Sequence, residues 1–221
     1  AWVHFPEGEG GLALPPNMQR IVERKMREAG AQPTDPTTFF MSLAGPTIST
    51  HGTSEQKERF LRPMYTGEER WCQLFSEPGA GSDFAGLACK AERDGDGWRI
   101  NGAKTWNTGI HKAQYDMVMA RTSGEPGDGD GITAFLTPMN AEGVNIEEFL
   151  WTFNMPTDHG TVSFTDVYVD NMSIFGEEGH GLQIVQHFFN ENRIRQAASS
   201  LGAAQFCINE SVQYAQERKP F

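Results

Sequence analysis

The stretch Glu77-Pro78-Gly79-Ala80-Gly81-Ser82-Asp83 follows a short apolar run, Trp71 to Phe75, and sets two glycines beside a hydroxyl. Residues without side chains let consecutive backbone N–H groups turn toward one anion, so the segment has the make-up of a phosphate-gripping turn. Phe84 stands where a dinucleotide fingerprint has its third glycine, and no P-loop lysine follows. An ordinary tight loop accounts for these residues equally well. A second stretch, Lys104-Thr105-Trp106-Asn107-Thr108-Gly109, puts a large flat ring two residues from a hydroxyl. Such a pair can cover a planar cofactor and hydrogen-bond its edge, and a core tryptophan is the plainer alternative.

Charge narrows the classes of partner. Eighteen Lys and Arg against 29 Asp and Glu leave a formal charge of −11, a field that repels nucleic acid and anionic lipid surfaces. The densest cationic cluster is late, in Arg193, Arg195, Arg218 and Lys219. Cys72, Cys89 and Cys207 are odd in number and far apart, which suggests neither a disulfide framework nor a metal cluster and fits a reducing compartment. The histidines are equally scattered, without metal-ligand spacing. The acidic run Ser123 to Gly131 resembles a calcium loop only superficially: the twelfth position counted from Asp128 is Met139, where a bidentate glutamate is needed, so a solvated hairpin loop is expected.

The elements that must position these groups fall into three zones. Asn17 to Ala29 carries Ile21, Val22, Met26 and Ala29 on one helical stripe, with Pro15-Pro16 before it and Gly30 after it. Thr53-Ser54-Glu55-Gln56 has the form of a capping box, and the helix it opens is expected to stop near Pro63. Phe39 to Leu43 is apolar enough for a buried helix. After Trp71 the pattern becomes that of strands, at 71–75, 87–93, 98–100, 115–121, 132–137, 144–153 and 161–169, with Asp94-Gly95-Asp96-Gly97 a hairpin turn. From Gly181 helical spacing returns and runs to the end. The expected class is α+β: a helical N-terminal segment (1–70), a central antiparallel β-barrel-like domain (71–178) and the start of a C-terminal helical bundle (179–221), with the helical faces leaving the chain short of partners, as in a piece of a longer protein.

Taken in order, the motifs resemble those of the acyl-CoA dehydrogenase family over nearly the whole chain. The resemblance is carried by Phe5-Pro6-Glu7-Gly8-Glu9-Gly10-Gly11-Leu12, His51 to Lys57, Thr66-Gly67-Glu68, Glu77 to Asp83 and Ile100 to Trp106, then by Val162 to Val167, Gly179-His180-Gly181, Asn192-Arg193 and Glu217 to Phe221.

The resemblance implies FAD as cofactor, with Phe75 and Ser76 along the isoalloxazine ring, Gly81 and Ser82 at the pyrophosphate, Trp106 packed on the ring and Thr108 near N5. Ser76 stands where many members have threonine, which keeps the hydroxyl. Arg218 corresponds to an arginine that reaches the FAD of a neighbouring subunit, implying a homodimer or homotetramer. Ser82, Asn190 and Arg193 fall at acyl-CoA contacts, although Asn190 replaces a frequent aspartate. The implied reaction is α,β-dehydrogenation of an acyl-CoA thioester, which needs a carboxylate base. In most members that base lies beyond the position of Phe221, and in a minority it occupies the position of Asn192, an amide that cannot accept a proton. Glu191 is rotated from it by about 100° on a helix. This stretch alone is therefore expected to be inactive.

The same flavin contacts serve acyl-CoA oxidases, nitroalkane oxidases and flavin monooxygenases, and a noncatalytic subunit that kept the fold but lost the base is a rival of another class. Electron-transfer flavoprotein is the acceptor that the resemblance implies. No run approaches the roughly 20 apolar residues of a membrane span, and the start lacks a secretion signal. The bacterial cytoplasm or a mitochondrial or peroxisomal matrix is the expected location.

Overall fold

The computed structural model describes residues 3–31, 44–152 and 155–220, with the side chains of 155–158 and 191 excluded. The chain forms two compact units, Ala1–Ile184 and Val185–Phe221. The first holds helices α1 (Met18–Glu28), α2 (Ala44–His51) and α3 (Ser54–Thr66) and strands β1 (Trp71–Leu74), β2 (Lys90–Asp94), β3 (Gly97–Thr108), β4 (Tyr115–Arg121), β5 (Ile132–Pro138), β6 (Val144–Thr152), β7 (Met155–Asp170) and β8 (Ile174–Phe175). The second is all but the first turn of one long helix, α4 (Gly181–Glu217).

The class is α+β, as the residue patterns indicate. One eight-stranded sheet runs in the order β6-β7-β3-β2-β4-β5-β8, with β1 joining alongside β4. Pairing is antiparallel except where β1 and β2 meet β4. Strand β4 is buried along almost its whole length on both faces: Val118 and Ala120 enter the interior cluster with Cys72, Leu74, Ile100, Phe135 and Val162. Helix α3 is seated on the sheet by aromatic packing, Trp71 stacking on Tyr115 at 5.1 Å and Phe60 edge-on to both. Gln56 adds two bonds from its amide, to Met172 O at 3.0 Å and Ile174 O at 2.8 Å.

The capping box at Thr53 and Gln56 forms, and Asp94 pairs with Gly97 across the expected hairpin. Helix α3, however, passes through Pro63 to Thr66. A proline in the last turn removes only one i to i−4 bond, and the stop comes instead from Gly67, left-handed at φ 79°, whose N–H reaches Met64 O. The expected strand at 87–93 begins only at Lys90, because the N–H groups of Ala88 and Cys89 are taken by the Glu77 carboxylate. The expected strands at 98–100 and 161–169 are parts of the longer β3 and β7. No residue of α1 is buried; of the apolar stripe Ile21, Met26 and Ala29 are exposed and Val22 is half-buried. The expected helix at Phe39–Leu43 and the end of the 144–153 strand lie outside the described residues.

Candidate functional site

Beyond β1 the chain enters a bend closed by two backbone bonds, Glu77 N to Ala80 O at 2.7 Å and Ala80 N to Glu77 O at 3.1 Å. Gly81 and Ser82 follow on the exposed side, and their N–H groups donate to no described residue. Neither Gly79 nor Gly81 has a positive φ, and a Cβ on either would meet nothing within 4 Å. Neither local conformation nor crowding within the chain therefore calls for glycine at these places. What glycine does provide is close access to the backbone from outside, as an anion site needs.

Glu77 fixes the bend from beneath. Its buried carboxylate accepts from Ala88 N at 2.6 Å, Cys89 N at 3.0 Å and Lys104 Nζ at 2.7 Å. Lys104 is fully buried, and its ammonium also lies 3.4 Å from Phe75 O. One salt bridge thus joins the start of the bend to β3. Phe75, half-buried, packs edge-on to Phe84 at 5.9 Å.

The register of strand β3 against β7 slips twice, between Ile100 and Gly102 and again between Lys104 and Asn107. Thr105 and Trp106 occupy the second bulge. Thr105 turns inward, its Oγ1 3.1 Å from Thr161 Oγ1, and its N–H donates to Ser76 O at 2.8 Å. Trp106 takes φ 62°, a left-handed value that costs a bulky residue roughly 1–2 kcal/mol, and its side chain is turned outward, 57% exposed. The Thr105–Ser76 bond holds the indole's neighbour against the residue that leads into the bend. Trp106 is therefore not a core residue; it is exposed, one position along the chain from the residue bonded to Ser76.

At the end of β3, Asn107 Nδ2 donates to Gly160 O at 3.1 Å and Thr108 Oγ1 lies 3.0 Å from His159 Nδ1. Behind the bend, the side chain of buried Arg121 donates to backbone carbonyls: Ala85 at 2.7 Å, Leu87 at 3.4 Å, Ser123 at 3.4 Å, and Asp128 and Asp130 at 3.2 Å. It ties the acidic 123–131 loop to the short turn that follows Ser82, and Gly127 N to Ala85 O at 2.7 Å adds to this. Sequence reasoning missed Arg121, His159 and the role of Lys104. A lone arginine among the apolar residues of a strand was the available signal for the first.

One buried group stands apart. Asp116 is fully buried between Cys72 on β1 and Thr137 on β5 in register, and its carboxyl oxygens meet no donor at good hydrogen-bonding geometry among the described residues, although the Cys72 thiol and the Met117 N–H lie near enough to favour its charged form. Burial pushes its titration well above the usual carboxylate range, against smaller opposing effects of the Cys72 thiol and the Lys104 ammonium.

In the second unit, Arg193 Nη1 donates to Asn190 Oδ1 at 3.1 Å and its guanidinium lies 5.7 Å from the Phe189 ring. Arg218 follows the last residue of α4, exposed, with its N–H on Tyr214 O at 2.9 Å. A cavity of about 460 Å³ starts just past Thr108, lined by Ile110, His111 and Tyr115 among others; another of about 320 Å³ lies along α3. Neither includes Trp106 or the bend.

Three family models match in succession: acyl-CoA dehydrogenase N-terminal domain over residues 1–68, middle domain over 72–167 and C-terminal domain over 179–221. Acyl-CoA dehydrogenase FadE34 of Mycobacterium tuberculosis is 38% identical over 171 residues, covering 77% of this chain and 23% of that protein. Caffeyl-CoA reductase-Etf complex subunit CarC of Acetobacterium woodii is 33% identical over 183 residues, covering 81% and 48%. The crystal structure of an acyl-CoA dehydrogenase from Geobacillus kaustophilus superposes with a TM-score of 0.80 at 27% identity, covering all of this chain and 58% of that one. The chain spans about half or less of the length of the first curated relatives it matches.

Proposed function

The chain belongs to the acyl-CoA dehydrogenase family, and from that premise we propose that it carries the FAD-holding part of an enzyme that dehydrogenates acyl-CoA thioesters between the α and β carbons. The observation that carries this reading is the bulged, outward-turned Trp106, tied through Thr105 N and Ser76 O to the glycine bend. The strained backbone and the exposed ring make poor sense as packing and good sense as a wall for a flat ligand.

On this reading Trp106 covers the isoalloxazine ring, the backbone at Phe75 and Ser76 borders it and Thr108 offers its hydroxyl to the ring edge. The N–H groups at Gly81 and Ser82, which donate to no described residue, suit a pyrophosphate. Arg218, with its rigid fork of donors, serves the FAD of a neighbouring subunit in a homodimer or homotetramer. Ser82 in the first unit and, separately, Asn190 and Arg193 in the second are assigned to acyl-CoA contacts. Bound there, FAD supplies the hydride acceptor for the reaction. Asn192 is an amide and takes no part as base, so a carboxylate elsewhere removes the α proton. We assign the zones 1–70, 71–178 and 179–221 to N-terminal helices, flavin domain and helical bundle, electron-transfer flavoprotein as the acceptor, and the bacterial cytoplasm or an organelle matrix as the compartment.

Anaerobic addition of acyl-CoAs of graded chain length to the flavin-loaded full-length protein tests the reading. Bleaching of the visible flavin band with formation of the enoyl thioester is expected, and a flavin that stays oxidised with every thioester contradicts it. Asn192 favours one second reading, a subunit that holds FAD without catalysing. It predicts tight FAD binding with no bleaching until another chain is added.

A further inference from the structure

Thr108 and His159 are direct partners across β3 and β7, and His159 Nδ1 is the one partner of the Thr108 hydroxyl among the described residues, at 3.0 Å. The backbone under this pair is held on both sides. Asn107 Nδ2 bonds Gly160 O, Leu150 of β6 pairs with His159 from the far side, and a Cβ on Gly160 would come within 2.9 Å of Ile110 Cγ2. Directly opposed residues share a sheet face, so Thr108 and His159 lie on the same side of the sheet; Thr108 is half-buried and follows the bulge in which Trp106 is exposed, with buried Asn107 between them.

A hydroxyl has one proton and two lone pairs. If Nδ1 carries hydrogen, the imidazole donates to Thr108 Oγ1 and the threonine proton is left for a third group. If Nδ1 is bare, the hydroxyl commits its only proton to the imidazole and can offer nothing outward as donor. The tautomer of His159 therefore decides whether Thr108 can donate to a ligand.

We propose that His159 is a positioning residue of the flavin site: its Nδ1–H holds Thr108 Oγ1 so that the hydroxyl proton is presented to the edge of the ring that Trp106 covers. This rests on the flavin reading given above.

The test is FAD affinity and the visible absorption spectrum of bound FAD in the full-length protein, for Thr108→Val, His159→Leu, His159→Asn and the Thr108→Val/His159→Leu double variant. An asparagine amide reaches about the same place as Nδ1 and can donate from it. His159→Leu is expected to weaken FAD about three- to tenfold, the effect of one hydrogen bond, and to reproduce the spectral change of Thr108→Val. His159→Asn should restore both, and the double variant should be no worse than Thr108→Val. If Thr108→Val alters affinity and spectrum while His159→Leu alters neither, or if the two losses add fully, the positioning role is overturned and the flavin reading stands. If neither Thr108→Val nor Trp106→Ala changes flavin binding, both readings fall together.

Discussion

Lys104 Nζ lies 2.7 Å from Glu77 Oε1 with the lysine side chain fully buried and the glutamate nearly so, and this pair joins the glycine bend to the strand that carries Trp106. A buried ion pair is weak evidence of net stabilisation, but losing one partner strands the other's charge. Lys104→Met is expected to destabilise the protein by about 3–5 kcal/mol, read by denaturant unfolding. The double variant Lys104→Met/Glu77→Leu should recover part of that loss, incompletely, because Ala88 N and Cys89 N lose their acceptor. A single variant within about 1 kcal/mol of wild type would contradict the role given to the pair.

Arg121 ends on carbonyls of the 85–87 turn and the 123–131 loop. Arg121→Met leaves those carbonyls without their donor, at a cost of about 1–3 kcal/mol. Amide hydrogen exchange should show lost protection at Gly127 and Gly131 well before the central strands. Uniform protection across the sheet and the loop would argue that the arginine is not what holds them.

Asp116 sets a pH dependence whose sign follows from its raised titration. An unfolded aspartate loses its proton near pH 4, whereas the folded protein keeps it, so Asp116 contributes least to stability at neutral pH and the penalty grows as pH rises through the unfolded value toward the folded one. Asp116→Asn removes that dependence. The variant's melting temperature should gain on wild type between pH 4 and pH 7, and the advantage should shrink below pH 4. Parallel melting curves across that range would show that Asp116 is ionised in the folded protein.

The local part of this architecture is legible in the chain: Thr53 and Gln56 sit three apart and announce a helix start, and Asp94 to Gly97 announces a hairpin. Features that depend on distant partners are not. The bulge at Trp106 arises from the pairing of β3 with β7, more than 50 residues away, so residue types alone make a core position the plainer reading of the indole. Glu77 and Lys104 are 27 residues apart, and His159 is 51 from Thr108. Pro63 misleads in the other direction, since its helix-breaking tendency matters little in a last turn. Phe75, Ser76, Trp106 and Thr108 were legible as candidates through their motifs; that Ser76 and Thr105 bond directly was not.

The most direct test of the central claim is titration of the full-length apoprotein with FAD, comparing wild type with Trp106→Ala by visible absorption and flavin fluorescence. The account predicts saturable binding of one FAD per chain that Trp106→Ala weakens about tenfold or more, with an unchanged melting temperature of the apoprotein because the ring packs against little of the core. Equal FAD affinity in the two proteins, or a large loss of apoprotein stability without loss of affinity, would contradict it.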